Sequence, residues 1–196
     1  MIRSLALALV LCAALGAQVK FDDILKSPNA DWLTYAGDYR ATRLSPLMQV
    51  TPANVGSMVP KWTFHVPRAS GLRTSLLVHQ GIMYFTAPNE VYALDAKSGR
   101  QIWKYRDTES AKRQNNVNRG AAILGDKIYF CTADVHLVAL DRRTGGLIWK
   151  KYYGSKDDGV FAAAAPLVVK DKVLVGTGGG DTGMRGFIAA LDAETG

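Results

Sequence analysis

Short apolar runs separated by polar turns fill the chain from about residue 75 onward. Each run is short enough for a strand, and the turn residues between them, such as His79-Gln80-Gly81 and Gly125-Asp126, are typical of β-hairpins. The pattern predicts four strands in each of two units. These strands are 75–78, 82–86, 90–95 and 101–105 in the first unit, and 120–124, 127–132, 136–141 and 147–152 in the second.

One motif within this pattern is repeated. Residues 93–103 (Ala-Leu-Asp-Ala-Lys-Ser-Gly-Arg-Gln-Ile-Trp) return as residues 139–149 (Ala-Leu-Asp-Arg-Arg-Thr-Gly-Gly-Leu-Ile-Trp), and a third copy is under way at the end of the chain. Its aspartates, Asp95, Asp141 and Asp192, follow at intervals of 46 and 51 residues. The Asp side chain can accept N–H bonds across the turn, and the Gly after it can take a positive φ. The indole then packs between neighbouring units.

A fixed period with four antiparallel strands per unit predicts an all-β fold, a β-propeller of four-stranded blades. A sandwich with chance internal similarity is the alternative, and the shared residue types at shared offsets argue against it. About two and a half blades fit into the chain, whereas a closed propeller needs roughly four to eight. We therefore expect an incomplete ring, the N-terminal part of a longer protein.

The first 17 residues have the pattern of a secretory signal peptide. Arg3 supplies the positive start, residues 5–15 the apolar stretch, and residues 14–17 the small side chains for cleavage. The apolar stretch is too short to span a bilayer. Cys12 fits a lipoprotein box poorly, because Leu11 stands where a small residue is required. The pattern predicts export, in a bacterium to the periplasm, and no transmembrane segment.

The remainder divides into an N-terminal segment, 18–66, and the blades, 67–196. In the segment, Thr51 followed by Pro52 predicts the cap of one short helical turn. Residues 61–64, Lys-Trp-Thr-Phe, predict a strand that closes the ring against the last blade, which this chain does not include. A polar loop at 107–117 is longer than a hairpin needs, and such loops on rigid scaffolds often carry sites.

The charge distribution argues against nucleic-acid binding, and the cysteine content argues against a disulfide. The chain has 24 Lys and Arg against 17 Asp and Glu, a net charge of +7. The cations are scattered, with one local cluster at Lys112-Arg113, so no stripe for nucleic acid is formed. Cys131 is the only cysteine after residue 17, and it lies in an apolar strand. No disulfide is therefore expected within this chain.

Several segments together resemble the quinoprotein dehydrogenases, the PQQ-dependent alcohol and glucose dehydrogenases with an eight-bladed propeller. The resemblance covers nearly all of the chain after the leader. Beyond the Asp-x-x-x-Gly-x-x-x-Trp repeats, it rests on residues 31–55, Val117-Asn118-Arg119-Gly120, 165–173 and Gly183-Met184-Arg185-Gly186. The Trp repeat alone is less specific, because non-enzymatic propellers of the outer-membrane assembly type share it.

The resemblance implies the cofactors PQQ and Ca²⁺, with the metal polarising the quinone and an Asp base in a later blade taking the alcohol proton. A trianionic quinone needs guanidinium and N–H partners, and Ca²⁺ needs oxygen ligands. The resemblance therefore implies that the catalytic base lies after Gly196. The positions that match the family's cofactor and metal residues are Arg119, Thr132, Gly178, Gly179 and Gly180 for PQQ, and Asp181 for the metal.

Three features of the family pattern are missing, and a fourth is altered. Arg73 stands where a Glu or Gln usually contacts the cofactor; Arg can pair with a quinone carboxylate but cannot accept a hydrogen bond. Arg113-Gln114 replaces the adjacent cysteines whose disulfide ring lies against the quinone. Ala163 replaces a Thr and loses a hydroxyl. Asp181 itself is one methylene shorter than the family's Glu.

The resemblance implies an exported dehydrogenase that oxidises an alcohol or sugar hydroxyl and passes electrons to a periplasmic acceptor such as a cytochrome c. The alternative is a propeller that has lost the cofactor and serves as a binding scaffold in the cell envelope. Arg119, Asp181 and the glycine run favour the enzyme, and Arg73 and Ala163 favour the scaffold. A nucleic-acid-binding propeller has the export signal against it.

Overall fold

A computed structural model describes residues 18–26, 30–67, 71–110, 117–154 and 159–196. The proposed leader, including Cys12, and the positions Lys112, Arg113 and Gln114 lie outside these residues. Within them the regular elements are one short α-helix and eleven β-strands. Their bounds are α1 (Phe21–Leu25), β1 (Leu77–His79), β2 (Ile82–Ala87), β3 (Glu90–Asp95), β4 (Gln101–Arg106), β5 (Ala122–Leu124), β6 (Lys127–Cys131), β7 (His136–Asp141), β8 (Leu147–Tyr152), β9 (Leu167–Val169), β10 (Lys172–Gly176) and β11 (Ile188–Asp192).

The strands form three separate antiparallel sheets that follow the chain in order. The first is β1-β2-β3-β4, the second is β5-β6-β7-β8, and the third has the three strands β9-β10-β11. The first two sheets match the predicted units, and the strand ends differ from prediction by at most two residues. The all-β blade architecture expected from the repeat is therefore confirmed.

The repeated Asp–Gly turn has the same geometry in all three sheets. In the second sheet, the Asp141 carboxylate accepts hydrogen bonds from the Arg143 and Thr144 N–H groups, and the Gly145 N–H donates to the Asp141 carbonyl at 2.8 Å. Gly145 has φ +73°, and its counterparts Gly99 and Gly196 have +71° and +75°. Only glycine adopts this conformation without strain, which explains the recurrence of the residue.

Each tryptophan of the repeat connects one unit to the next. Trp103, which ends the first unit, lies against Gly145 of the second, and its indole N–H donates to the Arg142 carbonyl at 2.9 Å. Trp62 packs in the same way on Gly99 of the first unit. The indole thus fills the space that a glycine without a side chain leaves open on the neighbouring sheet.

The sheets approach each other at their first strands. β5 contacts β9 directly, and both β1 and β5 are largely buried, whereas β4 and β8 carry mostly exposed residues. One apolar core runs through all three sheets and includes Tyr129, Phe130, Leu140 and Val173. The first strands are therefore inner and the fourth strands outer, as in a propeller.

We call the end at which β1, β5 and β9 begin the upper end, and the end carrying the Asp–Gly turns the lower end. The N-terminal segment runs along the inner strands. Val19 exchanges backbone hydrogen bonds with Gly125, and Trp32 does so with Val78. The Tyr39 hydroxyl donates to the Val168 carbonyl in β9. This segment therefore contacts all three sheets. The predicted boundary between the N-terminal segment and the blades, after residue 66, stays a prediction.

One expectation for the N-terminal segment was wrong, and another stays a prediction. Among the described residues, 61–64 pair with none of the three sheets. Because the predicted partner of this strand is a further blade, the closing strand stays a prediction. The helical turn exists as a 3-10 helix at Val55–Ser57, but the residue at its N-cap is Asn54 and not Thr51. The Asn54 side chain folds back and accepts the Thr51 N–H at 2.8 Å, which fixes the chain before the turn. Helix α1 was not predicted.

No helix in the described part of the chain is long and apolar enough to cross a membrane.

Candidate functional site

The residues expected to form a cofactor site all lie at the upper end. Arg73 precedes β1, Arg119 precedes β5, and Thr132 follows β6. The stretch 178–181 follows β10. Because neighbouring strands are antiparallel, the starts of first strands and the ends of second strands meet at the same end of each sheet. The fold thus brings four separate parts of the sequence to one end.

Arg119 is the most firmly anchored of these residues. Its N–H donates to the Ala163 carbonyl at 3.0 Å, and its carbonyl accepts from the Ser75 N–H at 2.9 Å. The residue thereby joins the approaches to all three inner strands. Its side chain is exposed at this junction. Gly120 follows with φ +143°, and a Cβ there would lie 3.2 Å from the Ser75 carbonyl oxygen. The close approach of the first sheet therefore requires a glycine after Arg119.

Arg73 is also exposed, two residues before Ser75. The next residue, Thr74, shares a hydrogen bond between its hydroxyl and that of Thr86 at 2.9 Å, and its oxygen accepts the Thr86 N–H. This pair fixes the chain that leads into β1. Through Ser75, the chain after Arg73 is bonded to the backbone of Arg119, so the two arginines lie in the same region of the upper end.

Thr132 is placed differently from its two charged neighbours at this end. It is fully buried, and its hydroxyl donates to the Asp134 carboxylate at 2.5 Å while accepting the His136 N–H at 3.2 Å. The hydroxyl thus stabilises the turn between β6 and β7. A direct contact between this hydroxyl and a cofactor stays a prediction.

The glycine run lies in the connection between β10 and β11. A Cβ on Gly178 would lie 2.8 Å from the Phe161 ring, and one on Gly179, where φ is +125°, would lie 3.0 Å from Met184. Packing within the protein therefore already excludes side chains at these two positions. Gly180 has open space around it. It is the position of the three at which the backbone is accessible to a flat ligand.

Asp181 lies in the 3-10 turn Gly180–Thr182, and its carboxylate is exposed. Among the described residues, no group of three or more His, Cys, Asp or Glu side chains comes together to hold a metal ion. Asp181 can supply one carboxylate ligand to Ca²⁺, and further oxygen ligands would have to come from elsewhere.

A cluster of buried charges at the upper end was not predicted. Lys150 forms an ion pair with Asp107 at 2.8 Å, and the Ser110 N–H donates to Asp107 at 2.9 Å. Burial raises the pKa of Asp107, but the bonds from Lys150 and Ser110 outweigh it, and the net shift is downward. The cluster anchors the start of the polar loop that the sequence marks at 107–117.

Asp134 and His136 form a second polar pair beside Thr132, with 3.2 Å between the Asp134 carboxylate and the His136 ring nitrogen. Burial raises the pKa of Asp134, yet hydrogen bonds from Ser110 and Thr132 lower it overall. Asp134 lies only two residues after Thr132. This spacing is the one signal in the sequence that the Thr132 hydroxyl has a nearby hydrogen-bond partner.

The upper end has chemistry suited to an anion with several carboxylates. Two exposed guanidinium groups and one open backbone position at Gly180 are suitable partners for a carboxylated planar ligand, and Asp181 offers one of the several oxygen ligands that a hard cation requires. Arg73 and Asp181 bring opposite charges to the same end. The donor set therefore fits PQQ, and it fits Ca²⁺ in part.

The fold defines the class of the protein as a β-propeller whose blades are joined through Asp–Gly turns and tryptophans. The family model described as the PQQ glucose/ethanol/alcohol dehydrogenase β-propeller domain matches residues 32–196. The chain belongs to this family.

Individual relatives agree with the family match. The chain is 37% identical to a 1-butanol dehydrogenase (quinone) from Thauera butanivorans, over 97% of this chain and 33% of the relative. It is 39% identical to the quinohemoprotein alcohol dehydrogenase ADH IIB of Pseudomonas putida, over 94% of this chain and 28% of the relative.

A solved structure, the quinohemoprotein alcohol dehydrogenase ADHIIG from Pseudomonas putida HK5, superposes with a TM-score of 0.85 at 35% identity. The match covers 93% of this chain and 28% of that one. The chain thus spans about a third of the length of the curated relatives it matches.

Proposed function

We propose that the intact protein is a quinoprotein dehydrogenase that oxidises an alcohol or sugar hydroxyl with PQQ and Ca²⁺. The observation that carries the proposal is Arg119, whose backbone is bonded to two neighbouring sheets while its guanidinium stays exposed at the upper end. The names of the relatives, alcohol and 1-butanol dehydrogenases, support an alcohol as the substrate. A sugar hydroxyl rests on the family description alone.

PQQ, when bound, would accept the two electrons released by the oxidation of the alcohol. The residues of this chain hold and orient it. Arg119 offers a forked, permanently charged donor to a quinone carboxylate. Arg73 offers a second cation, and the backbone at Gly180 lies open to the edge of a planar ring system. Asp181 is available to the metal.

The departures from the family pattern change the chemistry of this site without removing its charge. Arg73 adds a donor where the relatives' pattern has an acceptor. Although position 163 lacks the hydroxyl of the family's Thr, its backbone carbonyl still accepts the Arg119 N–H. Alanine can make this backbone bond as well as threonine. We therefore favour a modified cofactor site over an inactive scaffold.

The leader and the names of the relatives support a proposed location and electron acceptor. A signal peptide at residues 1–17 would export the protein to the periplasm, where a cytochrome c is a suitable acceptor. One relative is named 1-butanol dehydrogenase (cytochrome c). Cell fractionation with a leader-deleted control tests the location, and retention in the cytoplasm would contradict it.

The experiment for cofactor binding uses the intact protein with PQQ and Ca²⁺. After gel filtration, we expect quinone absorbance to elute with the protein, and free PQQ eluting separately would favour the scaffold. Arg73→Glu should weaken retention, because it replaces a cation that can pair with a quinone carboxylate by an anion. Arg100→Glu at the lower end makes the same charge change and should leave retention unaltered. Equal retention by both variants would place Arg73 outside the site.

A further inference from the structure

Asn118 is a buried polar residue directly before Arg119, and only 6% of its surface is exposed. Its Nδ2 donates to the Cys131 carbonyl at the end of β6, at 2.8 Å. Its Oδ1 accepts the Gly120 N–H at 3.1 Å. The side chain therefore joins the residue after Arg119 to the neighbouring second strand.

These two bonds complete the support of Arg119. The backbone of Arg119 is held by Ala163 on its N–H side and by Ser75 on its carbonyl side. The Asn118 side chain then holds the following peptide, at Gly120, through a bond that does not involve Arg119 itself. The three-residue motif 118–120 is thus bonded to elements of all three sheets, while the Arg119 side chain is exposed.

We infer that Asn118 is a positioning residue that fixes where the Arg119 guanidinium meets a carboxylate of the cofactor. The inference rests on the proposed function, because it presumes that PQQ binds at the upper end. A long, rotatable side chain binds a fixed anion well only if its base is held in place, since a mobile base adds an ordering cost to binding. Asn118 supplies that restraint through buried hydrogen bonds.

The expected effect is on affinity. Asn118→Ala removes both bonds, so we expect the dissociation constant for PQQ to rise about 10-fold or more, the scale of one charge-assisted hydrogen bond. The measurement is equilibrium dialysis of PQQ against the intact protein with saturating Ca²⁺. The melting temperature is recorded for every variant.

Asn89 provides a matched control. It too is 6% exposed, its Oδ1 accepts the Ala133 N–H at 2.8 Å, and its Nδ2 donates to the Ser110 carbonyl at 3.1 Å. It therefore makes the same two kinds of bond at the same end of the sheets, but it does not flank Arg119. Asn89→Ala should lower the melting temperature at least as much and change PQQ affinity less than about threefold.

A double-mutant cycle separates positioning from general destabilisation. An Arg119→Gln background lacks the guanidinium group. If Asn118 acts through Arg119, Asn118→Ala should therefore cause no further loss of PQQ affinity in this background. Asn118→Asp is the second variant, in case Asn118→Ala fails to fold. Asn118→Asp keeps an oxygen that accepts the Gly120 N–H, but its second oxygen faces the Cys131 carbonyl and cannot donate to it. Like Asn118→Ala, it should cause no further loss of PQQ affinity in the Arg119→Gln background.

The outcomes are distinct. If the wild-type protein does not retain PQQ, the proposed function and this inference both fail. If the wild type binds PQQ but the effects of Asn118 and Arg119 variants add, or Asn89→Ala weakens binding equally, only the role of Asn118 is overturned.

Discussion

The contact between Trp103 and Gly145 offers the sharpest test of how the blades are joined. Gly145 has φ +73°, and a Cβ added there would lie 2.7 Å from the indole of Trp103. Carbon atoms in contact normally lie about 3.5–4.0 Å apart, so the ring would have to move by roughly 1 Å. Trp103 is buried and bonded to Arg142, which leaves it little freedom to move.

The cost of Gly145→Ala has two parts. A positive φ costs a non-glycine residue about 1 kcal/mol, and overpacking a filled interface costs about 1–3 kcal/mol. Gly81 isolates the first part, because its φ is +75° and a Cβ added there would meet no other atom within 4 Å. We therefore expect Gly145→Ala to lower the free energy of unfolding by about 2–4 kcal/mol and Gly81→Ala by about 1 kcal/mol.

Urea unfolding of the intact protein, followed by tryptophan fluorescence, measures the two changes. In a Trp103→Leu background the clash is absent, so Gly145→Ala should then cost no more than Gly81→Ala. Equal midpoints for the two alanine variants in the wild-type background would refute the idea that the indole and the glycine form a tight joint.

Two further predictions concern buried groups. Burial raises the pKa of the Cys131 thiol to about 12. Iodoacetamide at neutral pH should therefore leave Cys131 unlabelled until the protein unfolds. Mass spectrometry of the peptide that contains Cys131 detects the label, and rapid labelling of the native protein would contradict its burial. The lowered pKa of Asp107 means that its carboxylate stabilises the fold above about pH 4 and less as the pH falls. Asp107→Asn should therefore flatten the acid decline of the melting temperature, and exposed Asp22→Asn should not.

The fold was predictable where the determinants are local. The Asp–Gly turn is formed by bonds within five residues, so its spacing in the sequence is sufficient to identify it. The strand expected at residues 61–64 is the opposite case, because a strand forms only with a partner elsewhere in the fold, and its predicted partner is a further blade. Thr51 and Asn54 are both capping types, and the sequence alone does not decide which of them takes the cap position.

The site was predictable only as a set of residue types. Arg119 was identified through its motif, but the bonds that hold it reach Ser75 and Ala163, 44 positions away on either side. No local pattern encodes those partners. The same limit applies to Thr132: its hydroxyl was visible in the sequence, whereas its complete burial depends on the packing of two sheets.

The unequal repeat lengths locate the part of the propeller that differs between blades. The interval from Asp141 to Asp192 is longer than that from Asp95 to Asp141. The additional residues lie at the upper end, because β10 and β11 are connected by residues 177–187, whereas 132–135 suffice between β6 and β7. The Asp-to-Gly spacing of the lower turn is the same in every unit, since its glycine contacts a tryptophan of the preceding unit or segment. Extra chain is tolerated at the upper end, and that is where Gly180 and Asp181 lie, so a rigid lower end leaves the upper end free to acquire a binding site.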